Sequence, residues 1–305
     1  MEPKVSIILV NYNGEKDTCE CIKSLKKITY TNYEIIVVDN ASQNQEYVES
    51  LLPKDVIFIK SQDNLGFSGG NNLGIHYAIN HGSDYVILLN NDTVVEKEFV
   101  IELLKTAQKK DDAGIITGKI LYYSKPEYIW YAGGYMNLNR ARIHHLHIRE
   151  KEDTNDICEK SVSFATGCLM MMSKEVIEKV GVLDDAFFMY AEDAEYCARI
   201  RNAGYKIWYN PKAKIFHKVS ASSGGAGSKL SQYYRTRNEL YLVLHFANHK
   251  LMGMVWYYVR LIKRLVTGQY SMHYVIAGLS DYYTGKMGKT SRILKSKRKR
   301  SWIKK

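Results

Sequence analysis

Four short, nearly uninterrupted apolar runs constrain this chain more than any other feature. VSIILV (5–10), EIIVVD (34–39), VIFI (56–59) and YVILL (85–89) are rich in β-branched residues and show no polar alternation. Between and after them lie stretches with helical spacing: Cys19, Ile22, Leu25; then Leu73, Tyr77, Ala78; then Phe99, Val100, Leu103, Leu104, Ala107. A strand that is apolar on both faces must be covered on both faces. Such strands alternating with amphipathic helices predict an α/β fold with a mostly parallel sheet flanked by helices.

In a sheet of that kind, ligands bind outside the carboxyl ends of the strands, and here the polar residues gather there. The first run ends in Asn11-Tyr12-Asn13-Gly14, the second in Asp39-Asn40-Ala41-Ser42 and the fourth in Asn90-Asn91-Asp92. The third leads into DNLGFSGGNN (63–72), read as a glycine-rich loop feeding a helix. These ends predict one crevice. Asp39 suits a ribose hydroxyl or a base N–H, and equally an Asx-turn or helix cap. Gly69 and Gly70, lacking Cβ atoms, suit close approach by a diphosphate or sugar, with free N–H groups at the start of the next helix; a purely structural turn is the other reading.

Residues 115–160 are less regular and read as a variable excursion. Order returns with a strand-like run at 161–173, a short helix ending at Gly181, the acidic stretch LDDAFFMYAEDAE (183–195), a helix stopping at Gly204, and a strand at 208–217.

Taken in order, VSIILVNYNG, IIVVDNAS, NLGFSGGNN, LLNNDTVV, ATGCLMMMSKEVIEKVGVLDDAFFMYAEDAEYCARIRNAGYKI and AKIFHKVSAS resemble the inverting family 2 glycosyltransferases, most of all their rhamnosyltransferase-like members. The resemblance covers roughly residues 5–220. It implies a GT-A fold and a nucleotide-sugar donor held near Val10, Asn11, Tyr12, Asp39, Asn64, Gly70, Asn71, Asn90, Asn91 and Arg237. It implies a divalent cation, Mg²⁺ or Mn²⁺, held by Asp92 and His217. The family's short acidic motif is altered here: Asn90-Asn91-Asp92 offers one carboxylate and two amides, and hard cations prefer charged oxygen ligands, so weak cation affinity without nucleotide is expected. By the same resemblance Asp193, with Glu192 beside it, is the general base. The position of Asp193 at a helix N-terminus predicts a low pKa. Gly167, Asp184 and Asp185 are placed on the acceptor side, and the acceptor is expected to be a glycan or lipid-linked glycan. Arg199 and Arg201 could pair with these acids or with phosphate. Tyr234-Arg235-x-Arg237-Asn238 is similar to the family's late basic motif. His144-His145-x-His147 looks metal-like but lacks acidic neighbours at helical spacing and is left outside the site.

Charge divides the chain. Residues 1–228 carry 26 Lys/Arg against 30 Asp/Glu, whereas residues 229–305 carry 17 against 2. This suggests a transferase domain over 1–228, with a donor half to about 115 and an acceptor half at about 160–228, and a helical, basic extension over 229–305. Residues 241–266 read as one helix, apolar nearly all round, and ten Lys/Arg fall within 286–305. Both features suit attachment to an anionic membrane surface through 241–305. No run reaches 18 apolar residues, so a spanning helix is not expected. The five cysteines show no metal spacing, and no secretory leader pattern opens the chain, so free thiols and a cytoplasmic, peripheral location are the expectation. Nucleic acid is not the expected partner, because the basic tail alone leaves the acidic crevice unexplained. A nucleotide-sugar-binding protein without turnover is the other competing reading, raised by Asn90.

Overall fold

The computed structural model describes residues 2–153, 156–219 and 227–291. The elements follow in order: β1 (Val5–Asn11), α1 (Glu15–Leu25), β2 (Tyr33–Asp39), α2 (Gln45–Ser50), β3 (Ile57–Lys60), α3 (Gly66–Asn80), β4 (Tyr85–Leu89), β5 (Thr93–Val95) and α4 (Phe99–Lys109). Then come β6 (Ala113–Tyr122), β7 (Lys125–Tyr131), β8 (Gly134–Asn137), a 3₁₀ turn (Leu138–Arg140), β9 (Arg142–His145), β10 (Lys160–Val162), β11 (Leu169–Ser173), α5 (Lys174–Val180), α6 (Glu192–Asn202) and β12 (Lys206–His217). Three helices follow: α7 (Lys229–Phe246), α8 (Lys250–Val266) and α9 (Met272–Tyr283).

The main sheet runs β10-β12-β6-β11-β4-β1-β2-β3, with β5 paired to β12 and β7 to β6. The four apolar runs of the first part of the chain form a parallel block: β1 pairs β2 and β4, and β2 pairs β3. The side chains of β1, β2 and β4 are mostly buried, as continuous apolar strands require, while β3 at the sheet edge is half-buried. The strand β11 enters this sheet antiparallel, between β4 and β6. Its reversed direction brings its amino end to the carboxyl end of β4, where the Asn90 N–H donates to the Cys168 carbonyl at 3.1 Å. The long β12 runs parallel to β6 and ends antiparallel to β5, with His217 opposite Thr93. Two segments far apart in sequence thus converge on the Asn90–Asp92 edge.

Three expectations change. The excursion begins later than position 115, because residues 113–122 form the buried strand β6 at the centre of the sheet. Its period is masked by Lys119, which is buried and neutralised by Glu152 at 3.2 Å. Second, residues 241–266 are not one helix. The chain leaves helical geometry at Ala247, whose backbone is extended, and restarts at Lys250. Residues 241–246 belong to α7, whose Leu240, Leu242 and Val243 join the same hydrophobic core as the sheet. Third, the glycine-rich segment is not a loop feeding a helix, since α3 already begins at Gly66. Most of the basic tail lies outside the described residues.

Candidate active site

The first two strand ends form a hydrogen-bonded floor. Asn11 and Asp39 are register partners in the parallel pair β1–β2. The Asp39 carboxylate is fully buried. One oxygen accepts from Asn11 Nδ2 at 2.7 Å; the other accepts from the Ser42 N–H at 2.9 Å and from Gln45 Nε2 at 2.8 Å. The turn role foreseen for Asp39 is therefore filled. Tyr12 stands 49% exposed at the rim, beside Asn13, which adopts a left-handed backbone at φ 51°. The half-buried Val10 lies behind it, against α3.

The glycines of α3 answer to protein packing. A Cβ on Gly70 would come within 2.9 Å of Val10 Cγ1, and one on Gly69 within 2.7 Å of Leu65 Cβ. Gly70 lets α3 close onto β1 and Gly69 lets Leu65 pack over the helix start, so the space that their missing Cβ atoms leave is taken by the protein itself. Asn64 accepts from the Gly66 N–H at 2.9 Å and lies 3.3 Å from Asn40 Nδ2. Asn40 also donates to the Gly66 carbonyl at 2.8 Å. Asn71 is buried and folds back on its own helix, donating to the Phe67 carbonyl at 2.9 Å.

At the β4 edge, Asn90 and Asn91 are half-buried, and Asn91 Nδ2 donates to Thr18 Oγ1 at 2.9 Å. Asp92 and His217 are both buried, with Oδ1 and Nε2 3.0 Å apart. That separation is a direct hydrogen bond between imidazole and carboxylate; as a donor set, one carboxylate and one imidazole are of the kind a divalent cation takes when further oxygens are supplied. His217 Nδ1 is buried without a partner among the described residues, and the Trp130 ring meets the imidazole edge-on at 4.4 Å between centroids. Among the described residues no cluster of three or more His, Cys, Asp or Glu could hold a metal, so substrate or amide oxygens would have to complete the shell. His144–His147 does not join the pair as a metal cluster. Burial pushes the His145 imidazole down to about 4, and its Nδ1 lies 3.1 Å from the Trp130 carbonyl; His147 pairs with Glu150.

The acceptor side is built differently. Residues Tyr190 and Ala191 both have positive φ, 65° and 70°, although neither is glycine. Two successive strained residues persist only where their surroundings hold them. The buried Asn238 does so, donating through Nδ2 to the carbonyls of Met189 at 3.1 Å and Tyr190 at 2.7 Å. This strained corner launches α6 and sets Glu192 and Asp193 at its first turn. Asp193 is half-buried, and its Oδ2 accepts from the Gly167 N–H at 3.2 Å. A Cβ on Gly167 would meet the tip of the Phe67 ring at 2.8 Å, so a larger residue here would have to displace that ring.

Burial raises the Asp193 carboxyl above the usual range, outweighing the N–H bonds from Gly167 and Ala194. This overturns the low value expected from the helix N-terminus: desolvation is the larger effect. Glu192 is only 8% exposed and is pushed up further, first by burial and then by the Asp193 charge. Among the described residues its Oε2 has no partner, nor does the hydroxyl of Tyr190, nor Nε of Arg235, whose guanidinium lies over the Tyr190 ring at 5.2 Å.

The remaining residues serve the scaffold. Asp184 accepts from the Ala186 N–H, and Asp185 accepts from Asn72 Nδ2 at 2.6 Å. Arg199 pairs with Glu195 at 2.7 Å and caps the Val180 and Val182 carbonyls. Arg237, fully buried, donates to the carbonyls of Lys286 and Gly288, tying down the chain beyond α9. Three residues of this site escape sequence reasoning as individuals: Asn238, Tyr190 and Trp130. Asn238 sits inside the noted Tyr-Arg-x-Arg-Asn segment, which was its only signal.

A parallel crevice with a carboxylate–imidazole pair at one strand end and an acidic helix start opposite is a nucleotide-sugar transferase arrangement, and comparison with known proteins agrees. Residues 6–181 match the model of glycosyl transferase family 2, and the chain belongs to that family. It is 33% identical over 244 residues to the low-salt glycan biosynthesis hexosyltransferase Agl10 of Haloferax volcanii, covering 77% of this chain and 73% of that one. It is 28% identical over 252 residues to the dTDP-rhamnosyl transferase RfbF of Shigella flexneri, covering 80% and 81%. Among solved structures, GalNAc-T7 with UDP, GalNAc and Mn²⁺ superposes with a TM-score of 0.59 at 14% identity, over 88% of this chain and 58% of that one. The mannosyltransferase PcManGT of Pyrobaculum calidifontis, in complex with GDP-Man and Mn²⁺, gives 0.56 at 13%, over 94% and 88%. The fold is GT-A, and the chain is a glycosyltransferase that uses a nucleotide sugar.

Proposed function

We propose that this chain transfers a hexosyl or rhamnosyl group with inversion to a hydroxyl of a glycan or lipid-linked glycan, with Asp193 as general base. The observation that carries this reading is the setting of Asp193. It is fixed by the Gly167 N–H at the mouth of a strained turn, half-open to the cleft, and raised in pKa by burial. A carboxylate with a raised pKa is a stronger base, and general-base catalysis depends on that match. Asp193 takes the proton of the acceptor hydroxyl as its oxygen forms the new bond to the anomeric carbon. The bond from that carbon to the diphosphate breaks, and the diphosphate leaves with the electron pair. A single displacement of this kind inverts the centre.

The other residues divide the remaining work. Tyr12 and the Asn11–Asn13 strand end receive the nucleoside, on the floor that Asp39 organises. Asn64, Gly70 and Asn71 shape the α3 start beneath the diphosphate, and Asn90 and Asn91 bring amide groups to its edge. Glu192, held neutral by burial, donates a hydrogen bond to a neighbouring hydroxyl of the acceptor. Asp92 and His217 would hold a divalent cation, which when bound neutralises charge on the departing diphosphate. The relatives named for hexosyl and dTDP-rhamnosyl transfer support the sugar class, and the Mn²⁺ in both structural neighbours supports the cation.

The test is turnover with Mn²⁺ across UDP-, GDP- and dTDP-sugars, with the anomeric configuration of the product read by NMR. Asp193→Asn is expected to lose about 10³-fold in rate, within the range for a general base, while still binding donor. Retained configuration, or full turnover by the variant, would overturn the assignment.

A further inference from the structure

The helix α8 is amphipathic in the wrong sense for a surface facing water. Its inward side carries Gly253, Tyr257 and Leu261, and also Arg264, whose guanidinium pairs with Glu239 of α7 at 2.7 Å. The Tyr257 hydroxyl donates to the Thr236 carbonyl of α7 at 2.8 Å. Its outward side carries Leu251, Val255, Trp256, Val259, Ile262 and Val266, each between 43% and 81% exposed. At about 100° per residue these six fall within one broad stripe, and the stripe runs roughly 22 Å along the helix. Met272 and Ile276 of α9 are likewise exposed, at 57% and 58%. A contiguous apolar surface of this kind marks an interaction site.

Charge decides what covers it. No acid lies on α8, and the one acid of α9, Asp281, is buried and accepts from the Tyr233 hydroxyl. Lys263 lies exposed within the stripe, between Val259 and Trp256, where a long side chain can reach past apolar contacts to charged headgroups. With 17 Lys/Arg against 2 acids over residues 229–305, a second copy of this chain would set like charge against like charge. An anionic lipid leaflet would not. No helix among the described residues is long and apolar enough to cross a membrane, so contact would be in the plane of the interface.

We propose that the outward face of α8 docks this protein onto an anionic lipid surface. The docked face is coupled to the reaction centre, because α8 packs on α7 and α7 holds the Met189–Tyr190 corner through Asn238.

Co-sedimentation of the full chain with phosphatidylcholine vesicles, with and without phosphatidylglycerol, tests this. Binding is expected to the phosphatidylglycerol vesicles and to weaken with salt. Val255→Glu together with Val259→Glu is expected to lower partitioning about tenfold or more, in line with about 1.4 kcal/mol per decade. Val255→Leu with Val259→Leu should bind as wild type does, which separates lost docking from lost folding. Three results would overturn the proposal: no vesicle binding by wild type; equal binding by the glutamate variant, which would assign attachment to the basic tail; or a vesicle-free dimer that the glutamate variant dissociates, which would make this face a contact between copies.

Discussion

The donor and acceptor sides of the crevice both bury carboxylates, yet treat them in opposite ways. Asp39 is fully buried and accepts from three donors within 2.9 Å. Glu192 is nearly as buried, yet among the described residues its Oε2 is without a partner, as are the Tyr190 hydroxyl and Arg235 Nε. A buried polar group without a partner costs free energy that a paired one does not. The donor floor is therefore complete before substrate arrives, while the acceptor side holds unmet hydrogen-bonding capacity that a polyhydroxyl ligand can satisfy. If so, removing an acid from each side should have effects of opposite kind.

The largest effect is expected on the donor side. Asp39→Ala removes the carboxylate that Asn11, Gln45 and the Ser42 N–H share, leaving Asn11 only Ser42 Oγ and Gln45 only backbone carbonyls such as that of Ser61, and should cost about 3 kcal/mol of stability, read by denaturant unfolding. A cost near zero would break the contrast, since Asp39 would then be a ligand group and not part of the floor. Next comes the corner itself. Asn238→Ala frees the Met189 and Tyr190 carbonyls that hold two positive-φ residues, and should cost about 1–3 kcal/mol. It should also lower kcat with little change in donor KM, because it displaces Asp193 without touching the donor floor. A loss confined to donor KM would place Asn238 in the other half of the crevice.

How much of this could be read from sequence follows the same division. The parallel block β1–β4 was legible because each strand is apolar throughout and each carboxyl end carries its own polar signal. Asp92 and His217 were legible only through motif order, since 125 residues separate them and their meeting depends on β12 pairing with β5. The strand β6 was missed because a buried lysine reads as exposed until its partner Glu152 is known. The antiparallel insertion of β11 has no local signature, and with it went the reason Gly167 meets Asp193. Asn238 lies 48 residues from the carbonyl it holds, and nothing in its neighbours announces that. On α8 the apolar pattern was plain, but which side faces the protein was not. The fold turns Arg264 inward onto Glu239 and leaves the valines outside.

The smallest effect sharpens the contrast most. Burial raises the Glu192 carboxyl from 4.5 to about 8 in the folded protein. The native state therefore keeps a proton that the unfolded chain releases above its ordinary value. By linkage, this stabilisation is fully present below about pH 4.5 and is lost as pH rises through the folded value. Glu192→Gln carries no such proton, and its amide resembles the neutral acid in shape and can still donate a hydrogen bond. Wild type and variant should unfold at nearly the same temperature near pH 4.5, and the variant should become progressively the more stable of the two toward pH 8. Turnover by the variant at neutral pH should stay within a few-fold of wild type, because the residue it replaces is already neutral there. Parallel melting curves across that window would mean that Glu192 is ionised in the native state, and the acceptor side would then be charged and not merely unpaired.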